Sequence, residues 1–119
     1  MSFELRTALV TGVGGQDGAL LAAHLLERGV AVVGTHRPRR AFDDWRLREL
    51  GIADHARLRV VELDPTDAES CAELIANLTP EAVFHLAGQS RVADSFRDPR
   101  GSLSANGAST LNLLEALRA

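Results

Sequence analysis

Seven residues near the N-terminus, Gly12-Val13-Gly14-Gly15-Gln16-Asp17-Gly18, constrain this chain more than any other feature. They follow the apolar run Thr7-Ala8-Leu9-Val10 and lead into Ala19-Leu20-Leu21-Ala22-Ala23, an apolar pattern that opens a helix. Gly12, Gly15 and Gly18 have the spacing of a dinucleotide-binding turn between a strand and a helix. In such a turn the first glycine permits positive φ and the second lets the backbone come close to a pyrophosphate. The third lets helix and strand pack tightly. The helix then points its free N–H groups and positive dipole end at the phosphates. An ordinary glycine-rich turn is the alternative reading of the same residues.

Strand and helix patterns alternate from end to end. Residues 5–11 read as a first strand. Residues 16–28 read as a helix whose only polar face is His24, Glu27 and Arg28, so most of its surface is expected to be buried. Gly29 closes it as C′ glycines do. Residues 30–35 form a second, nearly all-apolar strand of the kind covered on both faces. A basic loop follows, then a short helix over residues 42–50 closed by Gly51, and a third strand over 58–63. Thr66-Asp67-Ala68-Glu69 has capping-box spacing, with Thr66 at the N-cap of a helix running to Leu78, where Pro80 prevents continuation. Residues 82–87 make a fourth strand. Asp98-Pro99 reads as an N-cap and first helical position, opening a last helix with Leu103, Asn106, Thr110, Leu114 and Leu117 on one buried stripe. This order implies an α/β fold, a Rossmann-like parallel sheet with helices on both faces and about four strands in the order 3-2-1-4. The fourth strand is then an edge, and it carries no Pro, Lys or Glu to protect it.

With 119 residues, the chain is read as one domain, too short for a complete two-domain dehydrogenase. Its apolar fraction of 45% and charged fraction of 24% are globular, and a net charge of −3 gives no global basic field to attract nucleic acid. No stretch approaches membrane-spanning length, and no signal peptide is read at the N-terminus. The single cysteine, Cys71, excludes a disulfide framework and reads as a small buried residue, so the expected compartment is a reducing cytoplasm.

The chemistry-bearing residues fall at strand ends. After the second strand comes Gly34-Thr35-His36-Arg37-Pro38-Arg39-Arg40, with three arginines and no acid. An acid there binds the ribose hydroxyls of NAD, and arginine meets the 2′-phosphate of NADP, so the loop points to NADP; a solvated basic loop is the alternative. Asp64, after the third strand, reads either as an acceptor for an adenine amino group or as a turn residue beside Pro65. The fourth strand ends in Leu86-Ala87-Gly88-Gln89-Ser90, small and polar residues suited to lie against ribose and nicotinamide. His85 reads as a satisfied core histidine, and Asn106 as an amide bonding a loop backbone.

Thr-Gly-x-x-Gly-Gln-Asp-Gly, the Arg37 loop, Asp64-Pro65-Thr66-Asp67, Leu86-Ala87-Gly88-Gln89-Ser90-x-Val92, Ser95-Phe96 and Thr110-Leu111-x-Leu113-Leu114-Glu115-Ala116 together resemble the N-terminal half of the extended short-chain dehydrogenase/reductase family. Within it, the Gln16-Asp17 pair resembles the GDP-mannose 4,6-dehydratases. The resemblance covers essentially the whole chain. It implies that Gly12, Val13, Gly14, Gly15, Gln16 and Asp17 bind the pyrophosphate, with Gly18 completing the turn. It assigns Arg37, Pro38, Arg39 and Arg40 to the 2′-phosphate, Asp64 and Pro65 to the adenine, and residues 86–90 to ribose and nicotinamide. Four positions depart from the family pattern: Pro65 removes a backbone N–H, Pro38 interrupts paired arginines, and Arg91 and Gly101 stand where histidine and tyrosine are common.

The resemblance further implies a complete, homo-oligomeric enzyme that acts on GDP-mannose. That enzyme oxidises C4 by hydride transfer to NADP, eliminates water across C5 and C6, and returns the hydride to C6. Such chemistry uses a Tyr-x-x-x-Lys pair as base. This chain contains no Tyr, and all 13 of its basic residues are Arg. No catalytic residue and no metal site is assigned to it. The expected function is the NADP-binding portion of such a dehydratase, with a fragment of a related epimerase or reductase, or a non-catalytic NADP-binding module, as the alternatives.

Overall fold

The computed structural model describes residues 5–38, 41–87 and 99–118, with side chains from 107 onward in the last segment. The elements are β1 (Thr7–Thr11), α1 (Gln16–Glu27), β2 (Ala31–His36), α2 (Trp45–Glu49), β3 (Leu58–Glu62), α3 (Ala68–Leu78), β4 (Ala82–His85) and α4 (Pro99–Arg118). The four strands form one parallel sheet in the order β3-β2-β1-β4. The chain divides into two compact units, residues 1–63 with 80–86, and residues 64–79 with 87–119.

The first unit holds the sheet, α1 and α2. Side chains alternate along β1, so Ala8 and Val10 meet α1 while Leu9 and Thr11 point to the opposite face. Ala8, Val10 and Val32 pack with Ala19, Ala22, Leu25 and Leu26 of α1, and Leu47 and Ile52 close the cluster from α2 and its exit. Each fully buried leucine here contributes roughly 1.5–3 kcal/mol of transfer free energy. Leu20 departs from the expected all-apolar burial of α1, because it is 50% exposed beside the likewise exposed Trp45. The helix turns its alanine-rich side to the sheet, where small residues allow close approach, and leaves Leu20 outside. Gly29 and Gly51 take positive φ of 84° and 73° after α1 and α2, as C′ glycines do.

The second unit packs α3 against α4. The expected capping box is shifted by one residue. Asp67, not Thr66, is the N-cap, and its carboxylate accepts from Glu69 N at 3.1 Å and Ser70 Oγ at 2.8 Å. Thr66 is unavailable because its N–H and hydroxyl both donate to Asp64 Oδ1 across the Pro65 turn. The helix ends at Leu78 ahead of Pro80, with Thr79 in the left-handed region at φ 42°. In α4, Pro99 is the first helical residue, and the Asp98 cap lies outside the described residues. The buried stripe is Ser109 and Leu113, flanked by half-buried Asn112 and Ala116, while Thr110, Leu114 and Leu117 are exposed. Several sides of α4 carry leucine, and α3 meets the one where Ser109 and Ala116 let the helices approach. Leu103 and Asn106 lie outside the described side chains.

Candidate dinucleotide-binding site

The glycine turn is built from three different steric demands. Gly12 has φ 72°, a left-handed conformation that costs an ordinary L-residue about 1–2 kcal/mol. Gly12 and Val13 both donate their N–H to Thr35 O at 3.1 Å, which ties the turn to the end of β2. Gly18 sits where a Cβ would stand 2.2 Å from Gly12 O, so helix and turn touch through bare backbone. Val13 is fully buried and fills the space over Gly34, whose own Cβ would lie 2.6 Å from the valine side chain. Of the residues assigned to pyrophosphate, Val13 therefore faces the core, whereas Gly15, Gln16 and Asp17 are exposed.

The first ladder bond of α1 runs from Ala19 N to Gly15 O at 2.9 Å, so the N–H groups of Gln16, Asp17 and Gly18 precede the ladder. Gly15 is the N-cap and supplies no side-chain acceptor. Uncapped donors, a positive helix end and an exposed glycine ledge are what a phosphate requires, so these residues fit a dinucleotide.

Beside the turn lies a cleft of about 280 Å³, lined among others by Gly14, Gly15, His36, Arg37, Phe42 and Arg46. Arg37 is exposed at its rim, and His36 Nδ1 donates to Arg37 O at 3.1 Å. Pro38 is half-buried, while Arg39 and Arg40 lie outside the described residues. Of the three arginines in the basic loop, Arg37 is the described one, and it shares the cleft with the glycine turn and with Arg46.

At the carboxyl end of β4, Thr11 Oγ1 and His85 Nδ1 share a hydrogen bond of 2.7 Å, and Leu86 N donates to the same hydroxyl at 2.9 Å. Burial lowers the His85 pKa below its ordinary value, which keeps the ring neutral. His85 is thus satisfied by its neighbour, but it is half-buried at the sheet edge, not a core residue, because among the described residues β4 pairs with β1 alone. Leu86 is 44% exposed just past the sheet; Gly88, Gln89 and Ser90 lie outside the described residues.

In the second unit, Asp64 serves as the turn aspartate, through the Thr66 bonds given above; its assignment to adenine is a separate matter of ligand contact. Pro65 is buried, and its carbonyl accepts from Cys71 Sγ at 3.6 Å and from Asn112 Nδ2 at 3.0 Å. Burial, then the Asp67 and Asp64 carboxylates, push the Cys71 thiol up, so it stays protonated.

Sequence reading passed over Phe42, Arg46 and Asn112. The first two touch Gly14 across 28 and 32 residues, a contact with no local signature; the amide of Asn112 on a helix face was the only cue for the third.

Comparison with known proteins gives a consistent picture. The sequence profile described as GDP-mannose 4,6 dehydratase matches residues 9–119. Over 116 residues the chain is 36% identical to the GDP-mannose 4,6-dehydratase of Vibrio cholerae, covering 95% of this chain and 31% of that protein. It is 40% identical over 116 residues to GDP-mannose 4,6-dehydratase sdnI of Sordaria araneosa, covering 95% and 20%. The chain thus spans a third or less of these curated relatives. Among solved structures it is similar to the Bordetella bronchiseptica enzyme WbmH in complex with NAD+, with a TM-score of 0.75, 30% identity, and 95% and 35% coverage. The Thermus thermophilus UDP-glucose 4-epimerase complex with NAD superposes with a TM-score of 0.77 at 28% identity, covering 94% and 33%.

Proposed function

The chain belongs to the GDP-mannose 4,6-dehydratase family, and from that premise we propose that it is the NADP-binding portion of an enzyme converting GDP-mannose to GDP-4-dehydro-6-deoxy-D-mannose in the cytoplasm. The observation that carries this reading is one cleft lined both by Gly15, the N-cap of α1, which supplies no side-chain cap, and by Arg37. The exposed N–H groups at the start of α1 bind the pyrophosphate, and the arginines of the basic loop meet the 2′-phosphate. Asp64 accepts from the adenine amino group, and residues 86–90 flank the ribose and nicotinamide. When bound, the dinucleotide would supply a reversible hydride acceptor, and residues 86–90 would hold its nicotinamide end. With no Tyr and no Lys in the chain, the residues here bind and orient the nucleotide, and the proton-transfer pair of the family is not among them. The complete enzyme is read as a homo-oligomer.

Calorimetric titration of the chain with NADP and NAD tests the reading. NADP binds more tightly, and Arg37→Ala weakens it by about 1.5–3 kcal/mol, the worth of a hydrogen bond to a charged group. Equal affinities, or tighter NAD, would favour a second reading, an NAD-dependent nucleotide-sugar epimerase. That reading draws on the NAD named in the WbmH and Thermus thermophilus structures.

A further inference from the structure

Gly14 is a glycine without a backbone reason. It is not one of the three spaced glycines, and among the described residues positive φ belongs to Gly12, Gly29, Gly51 and Thr79. What crowds a side chain there is a ring. A Cβ on Gly14 would stand 2.8 Å from Phe42 Cε2. The same Phe42 ring stacks on His36, with centroids 4.7 Å apart and planes at 26°. His36 ends β2 and Phe42 lies six residues further along the chain, so this stack brings together the two ends of the segment that carries Arg37. Four residues further on, Arg46 Nη1 donates to Gly14 O at 3.1 Å in a part-buried bond. The Arg46 guanidinium also lies 4.5 Å from the centre of the Trp45 ring, which limits its rotamers.

We propose that Phe42 and Arg46 form a clamp that fastens the basic loop to the glycine turn, and so set the selectivity of this site for a dinucleotide with a 2′-phosphate. The inference rests on the NADP reading given above. Pyrophosphate and 2′-phosphate hang from the same ribose ring, which bounds their separation, so the two anion-binding parts must keep a matching spacing, to within about half an ångström, to engage both without straining the ligand. An unanchored loop ending in long arginine side chains would lose that spacing, along with the entropy of ordering it at each binding event. The stack, the ring on Gly14 and the Arg46 bond hold His36 and Phe42, which bracket the basic segment, to the glycine turn before any ligand arrives. Phe42 and Arg46 are positioning residues. Both act through Gly14 and the loop base.

The test is the ratio of NADP to NAD affinity, measured by calorimetry on the full chain and on Phe42→Leu, Gly14→Ala, Arg46→Gln and Phe42→Tyr. Gly14→Ala leaves Phe42 in the sequence but displaces its ring. Phe42→Leu and Gly14→Ala each lower the ratio roughly tenfold, equivalent to losing one charge-assisted hydrogen bond. Arg46→Gln lowers it in the same direction, and Phe42→Tyr preserves it. The Phe42→Leu/Gly14→Ala double variant is no worse than either single, since both remove one contact. An unchanged ratio in both single variants overturns the clamp, even if their melting points fall. Equal weakening of NADP and NAD also overturns it, because the segment would then merely support the turn. A parent chain with no preference for NADP removes the reading beneath it, and that result is seen before any variant is compared.

Discussion

Replacing Gly18 with alanine sets two well-measured effects against each other, and the structure decides which prevails. Alanine in a helix interior is favoured over glycine by about 0.8–1 kcal/mol. Against this, the new Cβ would stand 2.2 Å from Gly12 O, 2.9 Å from Gly12 C and 3.0 Å from Val13 Cα. All three are backbone atoms, so no rotamer change relieves the overlap. The helix must retreat by roughly 0.8 Å to reach even the closest Cβ contacts found in packed proteins. Val13 and Ala19 flank this joint, both essentially fully buried, so the retreat loosens the core of the first unit. Overpacking of this kind costs about 1–3 kcal/mol and more where backbone must move. The net expectation is a loss of about 2 kcal/mol, or on the order of 8 °C in the melting midpoint for a chain of this size. Gly107→Ala in α4 is the control. Nothing lies within 4 Å of its added Cβ, and propensity alone should stabilise the chain by about 0.5–1 kcal/mol. Urea titrations followed by circular dichroism measure both. The steric reasoning is refuted if Gly18→Ala unfolds at or above the parent midpoint while Gly107→Ala behaves as expected.

Gly34→Ala drives a methyl into Val13, and destabilises the chain by about 1–3 kcal/mol; Val13→Ala in the same chain recovers part of that loss, and a double variant no better than Gly34→Ala in a urea titration would contradict the packing. Burial lowers the His85 pKa from 6.5, so below that pH the unfolded chain binds a proton that the folded chain resists. This contribution to stability is present above pH 6.5 and is lost as the pH falls below it. A chain carrying His85→Gln should show a shallower loss of stability between pH 6.5 and 5, and parallel curves would refute the assignment. Among the described residues β4 is a sheet edge, and although its shortness limits the exposed ladder it holds no Pro, Lys or Glu, so the chain is expected to self-associate as concentration rises. Size-exclusion chromatography with light scattering checks this, and a monomer at every concentration would count against it.

The sheet order, the place of each strand and the roles of Gly12 and Gly18 were all legible in the sequence. They rest on local signals: apolar runs, capping residues, and a spacing that only one strand-turn-helix joint requires. Gly12 at positive φ and Gly18 against bare backbone are direct consequences of that spacing. Cys71 as a buried thiol and His85 as a satisfied ring were also readable, because each sits on the apolar period of its element. Tertiary structure alone decided the rest. Thr66 and Asp67 are both competent caps, and the choice fell to Asp67 once Asp64 had taken the Thr66 hydroxyl. α4 carries leucine on more than one side, and periodicity cannot say which side meets a partner; contact with α3 chose Ser109 and Leu113 and left Leu114 outside. Phe42 and Arg46 reach Gly14 across a sheet crossing, where the chain's local pattern carries no information about what the fold will bring near. Local propensity specifies elements and their order, whereas the partner of a given side chain depends on distances that exist only after the sheet has formed.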